Sequence, residues 1–157
     1  MASPVTRDLL IAAALLSGLL AGGGVDRVIV QMPAWRRVGV RAWAAYSRKA
    51  DLGNGLIWYP LVAIGGAVLT IAAAIAFHFD HTAPNSGAAP IYAAAVLVIG
   101  GLLATIKAAP RMLSLRRIAD EAGLQSAFDG FDRWGAVRAV LQVLAFVANL
   151  WSLLSIL

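Results

Sequence analysis

Long uninterrupted apolar runs, separated by short polar and mostly basic stretches, set the pattern of this chain. Each run is about 20 residues or longer and rich in Ala and Leu, which argues for helices rather than buried strands. Nothing alternates in the ten-residue segments of a membrane β-barrel. The pattern predicts four helices, at about 8–32, 55–79, 89–107 and 134–157. Thr6 is a plausible N-cap for the first, and Pro33 its stop. The turn signal Asp51-Leu52-Gly53-Asn54-Gly55 precedes the second, and His81–Gly87 separates it from the third. Pro110 ends or kinks the third helix, and the polar stretch Arg111–Arg133 is expected to be partly helical. The N-terminal run continues to Val30, longer than the apolar part of a signal peptide, so it reads as a membrane helix.

Composition sharpens this picture. Of 157 residues, 61% are hydrophobic and 13% charged, against about 25% charged in a soluble domain. The expectation is a single domain, residues 1–157: an all-α, integral membrane four-helix bundle whose partner is the lipid bilayer. The chain has no cysteine, which excludes disulfides, thiol nucleophiles and iron–sulfur clusters.

The distribution of charge sets the expected topology. Arg36, Arg37, Arg41, Arg48 and Lys49 fill the first connection, and Lys107, Arg111, Arg116, Arg117 and Arg133 the third. The second connection has no basic residue and the N-terminal tail has only Arg7. The positive-inside rule then makes connections one and three cytoplasmic and puts both termini on the non-cytoplasmic side of a cell (inner) membrane. The net charge of +5 is thereby explained without nucleic acid, and the same charges suit anionic headgroups. Trp35, Trp43, Trp58, Tyr59 and Trp134 lie beside these loops, as an interfacial belt would. Pro33–Ala50 has the make-up of an amphipathic helix along that surface. Ala14, Gly18 and Gly22, then Gly100 with Ala104 and Gly101 with Thr105, follow the small-xxx-small pattern of close helix approach.

Candidate chemistry concentrates on the last helix. At about 100° per residue, Trp134, Arg138, Gln142, Ala145, Asn149 and Ser152 fall on one stripe. Polar side chains are costly in hydrocarbon, so this stripe should face the bundle interior. It is either interhelical hydrogen-bond glue or the lining of a pocket. Asp26, Arg27 and Arg138 are expected at similar depth, with Asp26 paired to Arg138 or Arg27. That pair either fixes packing or holds an anionic or enol-like substrate oxygen. His78, Asp80 and His81 match a metal triad in composition, but a solvated helix end accounts for them, and no metal site is assigned. No phosphate loop, dinucleotide fingerprint or hydrolase triad is present.

Three segments together resemble the anthrone oxygenase-like family of small four-helix membrane proteins, many of unknown function. They are Gln31-Met32-Pro33-Ala34-Trp35-Arg36-Arg37, Thr105-Ile106-Lys107-Ala108-Ala109-Pro110 and Phe131-Asp132-Arg133-Trp134-Gly135-Ala136-Val137-Arg138. Ala108 and Met112 stand where members of that family often carry asparagine. The resemblance implies oxidation of a lipophilic phenolic anthrone to a quinone by molecular oxygen, without metal, flavin or other cofactor. Arg138 would stabilise the oxyanion, and Asp26, or a water held by Gln142, would take the proton. Trp134, Gln142 and Asn149 would contact the aromatic ligand. The alternatives are a non-catalytic subunit packed against a larger membrane complex or in a homo-oligomer, and a lipid- or small-molecule-binding or transport protein. An enzyme needs the stripe to line an accessible pocket; a scaffold needs it filled by neighbouring helices.

Overall fold

A computed structural model describes residues 2–157, and nearly all of them are helical. Helix α1 (Pro4–Asp26) starts with Ser3 as N-cap and Pro4 in its first turn, a favoured pairing at helix starts. A π-helical turn (Arg27–Gln31) carries it into α2 (Met32–Val38). Gly39, at φ 90°, breaks the chain into α3 (Val40–Lys49), a conformation glycine adopts without the Cβ penalty. A kinked turn (Ala50–Asn54), broken at Gly53 where φ is −95° and ψ −117°, leads into α4 (Gly55–Phe79). Helices α5 (Ala88–Ser114) and α6 (Glu121–Ile156) complete the chain.

Four continuous helical stretches, Pro4–Val38, Val40–Phe79, Asn85–Ser114 and Glu121–Ile156, are long and apolar enough to cross a membrane. Their arrangement puts small residues inside and large apolar ones outside. Ala13, Ala14, Ser17 and Ala21 of α1 are buried, as are Ala67, Thr70, Ala73 and Ala74 of α4. Leu15, Leu19, Ile64, Val68, Val96, Leu103, Val147 and Leu154 face outward. Small interior residues let membrane helices approach closely. Of the small-residue series on α1, Ala14 is buried and Gly18 lies against the Phe146 ring, while Gly22 faces open space. Helix α6 packs most extensively on α5, α1 packs on α4 and α6, and the seam between α4 and α5 is thinner.

Several boundaries differ from the sequence expectation. Ser3 caps α1 in place of Thr6, and Pro33 does not stop the first stretch but sits in the opening turn of α2, which carries it to Val38. Pro110 does not end α5, which runs on to Ser114 with Ala108 and Met112 both buried. Helix α6 begins at Glu121 instead of Trp134, capped by the Asp120 side chain accepting from Gly123 N at 2.7 Å. Its early turns bury Leu124, Ala127, Phe128 and Phe131, an amphipathic spacing rather than a continuous apolar run. At 36 residues and 1.5 Å per residue, α6 is about 54 Å long, well beyond a hydrocarbon core of about 30 Å. The surplus forms a helical cap at the basic end of the bundle. There Met32, Trp35, Val40, Trp43, Leu52, Met112, Leu115, Leu124, Phe128 and Phe131 make one core.

This cap revises two expectations about the basic connection. Trp35 and Trp43 are 2% and 8% exposed, packed into the cap instead of lying in an interfacial belt. Trp58 and Tyr59, 53% and 47% exposed, do face outward. Helix α3 is amphipathic as expected, but its apolar residues Val40, Trp43 and Ala44 cover the protein's own core.

The opposite end gathers both termini and the α4–α5 turn around Leu10, Phe77, Ile91 and Ile156. Asp80 fastens it. Its carboxylate accepts from Ser3 N at 2.7 Å and Thr6 Oγ1 at 2.8 Å, and from Thr82 N and Oγ1 at 3.1 and 2.6 Å. The Thr82 hydroxyl, then the Ser3 amide, hold this carboxyl below the usual carboxylate range. A group with a depressed folded pKa contributes fully above its unfolded pKa, and the contribution fades as pH falls through the folded value. Amides in the first turn of α1, corrected for intrinsic exchange rates, should therefore lose protection as pH falls below about 4. Asp80→Asn should abolish that pH dependence; an unchanged acid response in the variant would assign it to another group.

Candidate functional site

The basic end of the bundle holds a buried ion pair that joins the π-helical turn Arg27–Gln31 to the kinked turn Ala50–Asn54. Arg27 donates to Asp51 through both terminal nitrogens, at 2.6 and 2.9 Å. Their side chains are 9% and 5% exposed. The planar guanidinium fork matches the carboxylate, the geometry in which such a pair holds best. The expected pairing of Asp26 with Arg138 or Arg27 does not occur. Asp26 is exposed and accepts from Gln31 Nε2 at 2.6 Å. Adjacent helical residues point about 100° apart, so with Arg27 directed inward its neighbour is carried outward. Asp51 takes the role assigned to Asp26.

Arg138 lies beside this pair. The Arg27 and Arg138 guanidinium carbons sit 5.1 and 5.7 Å from the centroid of the Phe131 ring, within cation–π range. Two guanidiniums and one carboxylate leave the cluster with a formal surplus of one positive charge. Among the described residues Arg138 makes no ion pair, and its Nε is buried without a hydrogen-bond partner. Three further buried N–H donors at this end are also unpartnered: Arg27 Nε, Trp35 Nε1 and Trp43 Nε1. Trp35 packs on Phe128 with ring centroids 5.5 Å apart, one helical turn from Phe131. Buried donors without acceptors are costly, so positive charge and unmet donor capacity are concentrated at this end of the bundle.

The other predicted site residues divide by depth. Trp134 packs against the cap core, close to the cluster in sequence and space. One turn below Arg138, the Gln142 amide oxygen lies 2.6 Å from where a Cβ would stand on Gly24, so glycine there admits the amide against α1. Gln142 also lines a cavity of about 30 Å³ with Ser17, Gly66, Gly101 and Thr105. That space suits a water or two, far short of a tricyclic aromatic. Asn149 is eleven residues from Arg138, about 16 Å along the helix. Its Nδ2 donates to Ser17 Oγ at 3.0 Å and Thr70 Oγ1 at 3.1 Å, and Ser152 donates to the Gly87 carbonyl at 3.3 Å. The deeper half of the stripe is thus occupied by neighbouring helices.

The second histidine–carboxylate cluster does not assemble. Asp80 is engaged with Ser3, Thr6 and Thr82, and His78 Nδ1 meets Tyr92 OH at 3.2 Å. Among the described residues no group of three potential metal-ligating side chains occurs. Sequence reasoning missed Asp51, whose turn-like neighbours Gly53, Asn54 and Gly55 disguised a buried carboxylate. A lone acid flanked by leucine and glycines, close to a long apolar run, was the available signal.

The architecture has the make-up of a multi-pass helical membrane protein: four apolar helices, polar contacts turned inward and a basic cap at one end. Comparison of the chain with family models, curated proteins and solved structures finds no match in any of the three.

Proposed function

We propose that this protein binds a lipophilic molecule through an anionic or enolic oxygen at Arg138, on the cytoplasmic side of a cell membrane. The observation that carries the reading is a mostly buried guanidinium with no acidic partner, set beside an ion pair that is already neutral. Arg27 and Asp51 satisfy each other, so Arg138 is left to receive a ligand. Phe131, and Trp134 one turn before Arg138, would give that ligand an apolar, aromatic surround. Both basic connections lie at this end, which supports its cytoplasmic orientation.

Oxidation of a phenolic anthrone by oxygen remains the chemistry that the family resemblance implies. Arg138 suits the stabilisation of an enolate. The proton acceptor first assigned does not support it, because Asp26 faces outward and Asp51 is held bidentate by Arg27. Turnover would then need a water held by Gln142 to take the proton, or a ligand that ionises before it arrives.

A hydroxylated anthrone titrated into protein in lipid nanodiscs is the direct test, with quenching of Trp35, Trp43 and Trp134 fluorescence as the readout. Arg138→Leu should weaken binding about ten- to hundredfold, the worth of a hydrogen bond to a charged group, and leave thermal unfolding close to wild type. Equal affinity in the variant would rule out Arg138 as the anchor. Oxygen uptake in the same samples separates turnover from binding.

One observation favours a second reading. The Asn149–Ser17–Thr70 contacts fill the deeper stripe, as expected of a non-catalytic subunit built to pack against a larger membrane complex or another copy of itself. Native mass spectrometry of protein extracted from its own membrane distinguishes the two. A stable assembly with larger subunits, together with absent anthrone binding, would select the accessory role.

A further inference from the structure

A second concentration of charge, separate from Arg138, lies on the outer face of the cap. Arg41 and Arg48 of α3 meet Arg116 and Arg117 of the α5–α6 turn across an open groove of about 560 Å³, floored by Ile118, Ala119 and Leu124. The positive-inside rule accounts for arginines on this side of the membrane. It does not account for four from two distant connections converging on one groove.

Their partners show which of them are committed. Arg48 donates from Nε to the Leu115 carbonyl at 2.8 Å and from a terminal nitrogen to the Ile118 carbonyl at 2.7 Å. It thereby satisfies carbonyls just past the end of α5, where a cation is favoured, and its guanidinium is held in place. Arg41 pairs with Glu121 at 3.1 Å, both side chains well exposed. Asp120, the other nearby carboxylate, is occupied in capping α6. Arg116 and Arg117 are exposed and have no acidic partner among the described residues. The groove thus offers two uncommitted guanidiniums beside a third that is pre-positioned.

We infer that this groove binds the phosphate of an anionic phospholipid headgroup. Guanidinium groups recognise phosphate through paired, charge-assisted hydrogen bonds. A volume of a few hundred Å³ suits a headgroup. The groove opens just past the end of α5 and its lining includes the apolar Ile118 and Ala119, so a lipid that reaches this side of the cap can seat its phosphate there against apolar side chains. A soluble phosphate would gain nothing from Ile118 and Leu124.

The test is native mass spectrometry of the full chain in mixed micelles, titrated with phosphatidylglycerol or phosphatidylcholine. Wild type should retain phosphatidylglycerol in preference to phosphatidylcholine. Arg116→Gln with Arg117→Gln should reduce retention about thirtyfold, the loss expected when two basic residues near a lipid surface are neutralised. The charge-preserving pair Arg116→Lys and Arg117→Lys should fall between the two, keeping the charge attraction but not the paired hydrogen bonds, and all three proteins should unfold at similar temperatures. Equal phosphatidylglycerol retention by the Gln variant would overturn the inference. So would equal retention of phosphatidylcholine by wild type, or binding of inorganic phosphate as tight as that of the lipid. Since Arg138 does not line this groove, its variants leave the result unchanged, and the two sites stand or fall separately.

Discussion

Asp51→Asn should destabilise the protein by about 3–5 kcal/mol, the usual consequence of removing one partner from a buried ion pair. The physical reason lies in what remains. Arg27 keeps its charge, its side chain is 9% exposed, and its inward direction on α1 keeps the guanidinium from water. Asparagine preserves the shape of Asp51 and can accept one hydrogen bond, but it does not neutralise a buried cation already 5.1 Å from the Phe131 ring. Arg138 close by makes the unbalanced charge worse. The double variant Arg27→Met with Asp51→Leu should be near neutral or even stabilising, because it removes two desolvation penalties together. Denaturant unfolding in detergent gives both values and their coupling. A single-variant loss below about 1 kcal/mol, typical of an exposed pair, would show that water reaches this site.

Phe128→Ala should cost about 3–5 kcal/mol, the range for truncating a buried aromatic residue. Phe128 is 1% exposed and packs on Trp35 within the cap core. Its position on α6 precedes the continuous apolar stretch, so the hydrophobic effect acts on it as in a soluble protein. Deeper in the bundle lipid is as apolar as the interior, and helix association rests on close packing and hydrogen bonds. The same unfolding assay reads the effect. If the variant loses less than about 1 kcal/mol, the cap is a loose surface layer and not a core.

The distinction between cap and bundle also marks what was legible in the sequence. Helix α4 was readable to the residue, because Gly55 and Asp80 bound an unbroken apolar run. The inward stripe on α6 was readable too, since Gln142, Asn149 and Ser152 can hardly face lipid. The start of α6 was not. Leu124, Ala127, Phe128 and Phe131 recur with helical spacing among charged residues, and a search for continuous apolar stretches passes over them. Trp35 and Trp43 carry the same neighbours whether they face headgroups or a protein core, so only the packing of α2 and α3 onto α6 decides between the two.

The candidate site was half legible. Arg138 stood out as a charge at the mouth of an apolar helix, and its proximity to Arg27 followed from antiparallel topology. On the sequence the anion falls to Asp26, and Asp51 is passed over. Asp51 turns inward from a kinked segment that its neighbours Gly53, Asn54 and Gly55 present as an exposed turn.

That wide turn after α1 carries a consequence for how the protein tolerates change. A π-helical turn is in effect one additional residue accommodated within an α-helix, so the segments on its two sides are out of step by about 100°. Arg27–Gln31 sets the step between α1 and α2, whereas α3 and α4 are separated by the kink at Gly53. Arg27 and Asp51 tie the offset to the kink. Loss of one residue from Val28–Val30 would restore a plain α-helix and swing Trp35 away from Phe128, with every side chain of α2 retained. Between α1 and α2 the residue count is a constraint in its own right, beside residue identity.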